Sequence, residues 1–170
     1  MNQLQREAIA VTKELGDVVF VGAVAVLSYL GWKHRTTMDL DIAMATELTK
    51  EQLEHLGYRR FQERGKDVTY SPRGYRIDIY TRDVSDIPIE TIYSTASEVV
   101  LRKYKIRVAS LEVLLVAKLR AMRPSRPQDK DDFNKLCERN GRSIDWKMLN
   151  AIATEIEASR IRESVLALTP

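Results

Sequence analysis

The chain of 170 residues holds one cysteine, two histidines and three phenylalanines. A lone thiol, Cys137, makes neither an internal disulfide nor a cysteine metal knuckle, so it reads as a reduced bystander. His34 adjoins Arg35 and is given at most a share in phosphate binding, while His55 sits in a charged helical segment, so no histidine-based metal site is expected. The longest run without charge, Val18 to Trp32, is too short to cross a bilayer and contains two glycines. The N-terminus also lacks a basic stretch followed by an apolar core. These absences exclude a membrane partner and point to a cytoplasmic protein.

What is present is ordinary globular composition, with 44% hydrophobic and 30% charged residues. That length supports one substantial core, or one domain with a helical appendage. The formal charge is only +3, but the basic residues cluster at Arg59, Arg60, Arg64, Lys66, Arg73 and Arg76, again from Arg102 to Arg107, and from Lys118 to Lys130. Such clusters suit a polyanion or nucleotide as well as they suit a solvated surface.

The stretch from Phe20 to Ile42 reads as strand, glycine turn at Gly22, apolar helix Ala23 to Leu30, and a second strand. In that second strand Arg35, Thr37, Asp39 and Asp41 fall on one face, and Met38, Leu40 and Ile42 on the other, core-facing side. Aspartate is disfavoured in strands, and two on one face repel unless a cation lies between them. A third carboxylate, Asp78, lies in Tyr75 to Tyr80, where Arg76, Asp78 and Tyr80 share a face. Oxygen-only donors suit Mg2+ or Mn2+ and a mechanism in which metal activates a hydroxyl and holds a triphosphate. The bland alternative pairs these acids with Arg35 or with lysines elsewhere.

The remaining elements follow from caps and periodicity. A helix over residues 2 to 15 carries Leu4, Ala8, Val11 and Leu15 on one stripe and stops at Gly16. Thr49 caps a helix from Lys50 to Leu56. Tyr58 to Glu63, Val68 to Tyr70 and Tyr75 to Tyr80 form a meander, with turns at Arg64 to Asp67 and Ser71 to Gly74. Residues 98 to 108 read as a strand or hairpin. Ser110 caps a helix with Leu111, Leu114, Leu115, Leu119 and Met122 on its apolar face, and Lys118 sits on that same face. Lys118 is either a side chain that snorkels from the core margin or a ligand of phosphate. Beyond the Arg123 to Gln128 loop, a helix begins near Asp129, and residues 144 to 168 add one or two more.

The glycine turn, the Arg-x-Thr-x-Asp-x-Asp strand and the later lone Asp78 together resemble the nucleotidyltransferase superfamily with the DNA polymerase beta-type fold. The resemblance is closest to small prokaryotic AbiEii-like and minimal nucleotidyltransferases of toxin–antitoxin systems, and spans residues 18 to 136. It implies an α/β fold of the α+β kind: a mixed sheet flanked by helices, with a catalytic core over 1–109 and a helical subdomain over 110–170. It implies Asp39, Asp41 and Asp78 as catalytic, metal-holding carboxylates, and Gly22, Ala23, Arg35, Thr37 and Lys118 as nucleotide-binding residues. Ala23 departs from the glycine or serine at the second position of the turn, where the family contacts phosphate closely. Val108-Ala-Ser110 followed by Lys118 matches the family's phosphate-binding lysine, and Lys130-Asp131 resembles its Lys/Arg-Asp signature, although Asn134 stands where a further acid is common.

The activity so implied is transfer of a nucleoside monophosphate from a nucleoside triphosphate to a hydroxyl of RNA, protein or a small molecule, within a toxin–antitoxin pair. The competing reading is a module of the same fold that has lost turnover and acts by binding nucleotide, protein or nucleic acid. A nucleotide-sugar glycosyltransferase, which also uses Asp-x-Asp, needs a larger nucleotide-binding sheet domain than this chain supplies.

Overall fold

In the computed structural model, which describes residues 1–63 and 66–168, the chain opens with helix α1 (Gln3–Leu15). Asn2 begins it through a reciprocal capping box with Gln5, and Gly16 ends it at φ +83°. Strand β1 (Val18–Val21) is buried along its whole length, as a continuous apolar run in a central strand should be. Gly22, at φ +55°, turns the chain directly into α2 (Gly22–Leu30), whose residues Ala23 to Leu27 are all buried. Burial at about 1.5–3 kcal/mol for each large aliphatic side chain anchors this turn firmly.

Strand β2 (Asp39–Met44) follows, and its burial alternates at the start, with Leu40 and Ile42 fully buried. The expectation that Met38 faces the core fails: the strand begins one residue later, and Met38 is 56% exposed. Arg35 and Thr37 accordingly lie in the connection to β2 rather than on the strand itself. Helix α3 (Lys50–His55) starts at a Thr49–Gln52 capping box. Three strands then form the expected meander: β3 (Arg59–Glu63), β4 (Lys66–Tyr70) and β5 (Arg76–Tyr80). The tip of its first turn, Arg64 and Gly65, lies outside the described residues.

The segment from Thr81 onward holds more than the hairpin read from sequence. A two-residue ladder, β6 (Asp83–Val84) with β7 (Ile87–Pro88), precedes helix α4 (Ile89–Thr95), and only then comes the hairpin of β8 (Ser97–Leu101) and β9 (Tyr104–Val108). Ser110 caps α5 (Leu111–Ala121) by accepting from the Val113 amide. Helix α6 (Pro127–Asn140) begins with proline at its first position, where the missing amide costs nothing. A short 3-10 turn leads to α7 (Trp146–Ile152) and α8 (Glu155–Leu168).

Seven strands make one mixed sheet in the order β3-β4-β5-β2-β1-β9-β8, with β2–β5 and β1–β9 parallel and the other pairs antiparallel. Register decides what this sheet presents. Asp41 lies beside Val21 of β1 and directly opposite Asp78 of β5, and Asp39 lies opposite Arg76. Paired residues on neighbouring strands share a face, so all three carboxylates emerge on the side opposite Leu40, Ile42 and Ile77.

Candidate active site

A cavity of about 420 Å³ opens where the end of β1, the start of α2 and strands β2 and β5 meet α5 and the start of α6. All eight candidate site residues line it: Gly22, Ala23, Arg35, Thr37, Asp39, Asp41, Asp78 and Lys118. Tyr80 and Arg126 join them.

Asp41 is the most constrained of the carboxylates. A side chain at residue 22 would land on its carboxylate, so glycine is needed there both for the positive φ and for clearance. Burial, then the neighbouring Asp78, raise the Asp41 pKa above the ordinary carboxylate range, with Lys118 and the Tyr80 hydroxyl pulling the other way and Asp39 adding to the rise. Tyr80 donates to Asp41 Oδ1 at 3.4 Å, and its phenol is pushed up to about 12 by burial and by Asp41 and Asp78. Asp78 accepts from Arg76 Nε at 3.1 Å, which draws it to one side. Among the described residues, the three carboxylates do not already gather their oxygens into a closed cluster. The like-charge part of that rise, from Asp78 and Asp39, is what a cation would relieve, and an all-oxygen donor set fits a hard ion such as Mg2+ or Mn2+.

The α2 N-terminus supplies the opposite polarity. No side chain caps it, and Gly22 and Ala23 carry its first backbone amides into the cavity wall. Ala23 is buried and brings no hydroxyl there. Thr37 is engaged locally, its hydroxyl meeting both the amide and the carbonyl of Asp39 at 3.1 and 3.2 Å, which orders the approach to β2.

Lys118 fits neither of its expected descriptions alone. It is buried, and its Nζ lies 2.7 Å from Asp129 Oδ1 and 2.9 Å from Asp132 Oδ2. Asp132, fully buried, also takes Arg35 at 3.1 Å, and Asp129 takes Arg126 at 3.0 Å. Burial alone would raise the Asp132 pKa, but Lys118 and Arg35 hold it below the ordinary range. Residues 129 and 132, three apart, share the inner face of α6, whereas Lys130 is exposed and Asp131 pairs outward with Lys135 at 2.8 Å. The Lys130-Asp131 pair therefore lies outside the cavity lining: Asp129 lines the cavity, and fully buried Asp132 stands behind it, bonded to Lys118 and Arg35. The signal that could have found them is that spacing beside a buried lysine.

The basic clusters are also more neutralised than sequence suggests. Arg60 pairs with Asp67, Arg73 with Glu7 and Glu14, Lys105 with Glu98, and Arg107 with Asp17. Cys137 is buried in the core, its thiol pushed up to about 12 by that burial, which leaves it inert.

A family model described as "Nucleotidyl transferase AbiEii toxin, Type IV TA system" matches residues 6–168. No curated protein gives a significant match. Among solved structures, an antigenic nucleotidyltransferase-like protein from Paracoccidioides brasiliensis superposes with a TM-score of 0.60 at 14% identity, covering 98% of this chain and 93% of that one. The antibiotic-resistance factor ANT(2'')-Ia, solved in complex with adenylyl-2''-tobramycin, gives 0.58 at 16% identity over 94% and 95% of the two chains. A nucleotidyltransferase-type protein from H. pylori gives 0.54 at 14% identity over the full length of both. At such identities the structural likeness establishes the fold.

Proposed function

The chain belongs to the AbiEii nucleotidyltransferase family, and on that premise we propose that it moves a nucleoside monophosphate from a nucleoside triphosphate to an acceptor hydroxyl in a metal-dependent reaction. The observation that carries this reading is the register of β2 on β5, which puts Asp39, Asp41 and Asp78 on one face of the sheet, across the cavity from the Gly22 turn and the α2 N-terminus. Carboxylates on one wall and backbone amides on the other suit a substrate that is anionic but reacts where metal is held.

In this proposal the triphosphate lies along the α2 amides, with Arg35 offering a further charged contact. Asp39 and Asp41 would hold Mg2+ or Mn2+, which would neutralise charge on the phosphates and lower the pKa of the attacking hydroxyl. Asp78 accepts the hydrogen bond of that hydroxyl, aims its oxygen at the α-phosphorus and takes its proton as the oxygen attacks. Attack forms the new phosphorus–oxygen bond as the bond to the β-phosphate breaks, and pyrophosphate leaves. Tyr80 keeps its proton, so it orients Asp41 rather than competing as a base. Lys118 reaches the cavity wall but is held by two carboxylates, so it acts in concert with Asp129 and Asp132.

The acceptor is RNA, a protein or a small molecule, and a toxin role in a toxin–antitoxin pair follows the family description. ANT(2'')-Ia, whose complex carries an adenylylated aminoglycoside, is the precedent for a small-molecule acceptor on this fold. Incubation of the protein with each labelled nucleoside triphosphate, magnesium and cell extract tests the reading. Label should pass covalently to one class of acceptor with wild type and not with Asp78→Asn. Nucleotide binding without any transfer would favour the module that has lost turnover, for which Ala23 in the phosphate turn is the supporting feature.

A further inference from the structure

His34 lies in the connection between α2 and β2, and its side chain is only 7% exposed. Its Nε2 is buried and makes no hydrogen bond, yet it points at two acids of α6, standing 3.5 Å from Asp132 Oδ1 and 4.0 Å from Asp131 Oδ2. The three ligand atoms lie within 4.8 Å of one another. Nitrogen and oxygen ligands bound at about 2.0–2.2 Å to one tetrahedral ion stand roughly 3.4 Å apart, so small side-chain adjustments bring this trio onto a common centre. A cation bound between them would satisfy at once the nitrogen that makes no hydrogen bond and the two carboxylate oxygens that face it.

We propose that His34, Asp131 and Asp132 form a second cation site, selective for a borderline transition ion such as Zn2+ and distinct from the carboxylates of the cavity. The donor sets explain the selectivity: imidazole favours zinc, cobalt or nickel over magnesium, whereas Asp39, Asp41 and Asp78 offer oxygen alone. The charges around the trio permit it. Arg35 and Lys118 occupy Asp132 Oδ2 and leave Oδ1 toward His34, where Gln128 also approaches at 3.3 Å. Among the described residues, the lysine or arginine that pairs with Asp131 is Lys135, in a half-exposed pair one helical turn away, which an ion displaces readily. Because Asp131 is 48% exposed at its side chain, water reaches the centre and completes the coordination. The bound ion would tie the connection that carries Arg35 to the first half of α6, a cross-link between parts of the chain nearly a hundred residues apart.

Binding at the site is tested without the transfer reaction. Metal-free protein is titrated with Zn2+ by calorimetry and with Co2+ by visible absorption. Wild type and Asp41→Asn should each bind one equivalent of Zn2+ and give the intense visible bands of four-coordinate cobalt. His34→Ala and Asp131→Asn should weaken binding by tenfold or more. Asp131→Asn changes an exposed residue, so it decides the matter even if His34→Ala folds poorly. Failure of wild type to bind zinc, binding unchanged in Asp131→Asn, or binding lost in Asp41→Asn alone would overturn the assignment.

Discussion

Gly22 and Asp41 show how one residue type serves another. Because a Cβ at residue 22 meets the Asp41 carboxylate and φ is positive there, Gly22→Ala should cost about 1–3 kcal/mol in denaturant unfolding and should lower transfer far more than that stability loss accounts for. Asp41→Asn should act in the opposite direction on stability. Folding raises the Asp41 pKa, so its protonated form is favoured in the folded state, and the benefit present below the unfolded value is lost as pH rises through the folded one. In metal-free protein near neutral pH, Asp41→Asn should therefore melt at the same or a higher temperature than wild type, with the difference shrinking in acid, while transfer is abolished. For Lys118, an ammonium in the cleft with its stem at the core margin would be removable with the fold largely intact. Its two buried carboxylate partners reverse that expectation: Lys118→Ala takes away the cation they share, leaving Asp129 to the exposed Arg126 and Asp132 to Arg35, and should destabilise by about 3 kcal/mol, read from the urea midpoint.

At the scale of elements, what was legible in the sequence is what local chemistry determines. The Thr49 and Ser110 caps, the glycine stop after α1 and the alternation of β2 are properties of five or six adjacent residues, whereas the reciprocal Asn2–Gln5 cap that begins α1 was not read. The start of β2 was misjudged at Met38 because alternation says which face a residue takes but not where pairing begins. The partners of Lys118 were hidden because helix-to-helix contact depends on how α5 and α6 pack, and Asp129 and Asp131 look alike in sequence. Helix α8 is tied in the same long-range way. Arg120 of α5 forks onto Glu157 at 2.8 and 3.0 Å and also reaches the Ser85 carbonyl. The Arg120 hydrogen bonds, against a smaller opposing effect of burial, lower the Glu157 pKa from 4.5 to about 2. A depressed acid contributes stability above its unfolded pKa and loses it as pH falls through the folded value, so wild-type stability should drop between about pH 4.5 and 2. Glu157→Gln should flatten that drop, as followed by urea unfolding across the same range.

At the scale of the molecule, the mixed sheet with helices on its faces is what the resemblance of the glycine turn and the two aspartate strands implies, and the family match over residues 6–168 agrees with it. The division into a core over 1–109 and a helical subdomain over 110–170 stands as a proposal. The cavity lies where those two segments meet, with Asp39, Asp41 and Asp78 from the first and Lys118 and Arg126 from the second. Meeting there of carboxylates, helix amides and a metal-dependent triphosphate is the central claim, and its most direct test is the melting temperature with nucleoside triphosphate in the presence of Mg2+ and then of chelator. Nucleotide should raise the melting temperature only with the metal, because without it the triphosphate is repelled by the three carboxylates. Equal stabilisation by nucleotide in chelator would contradict the account.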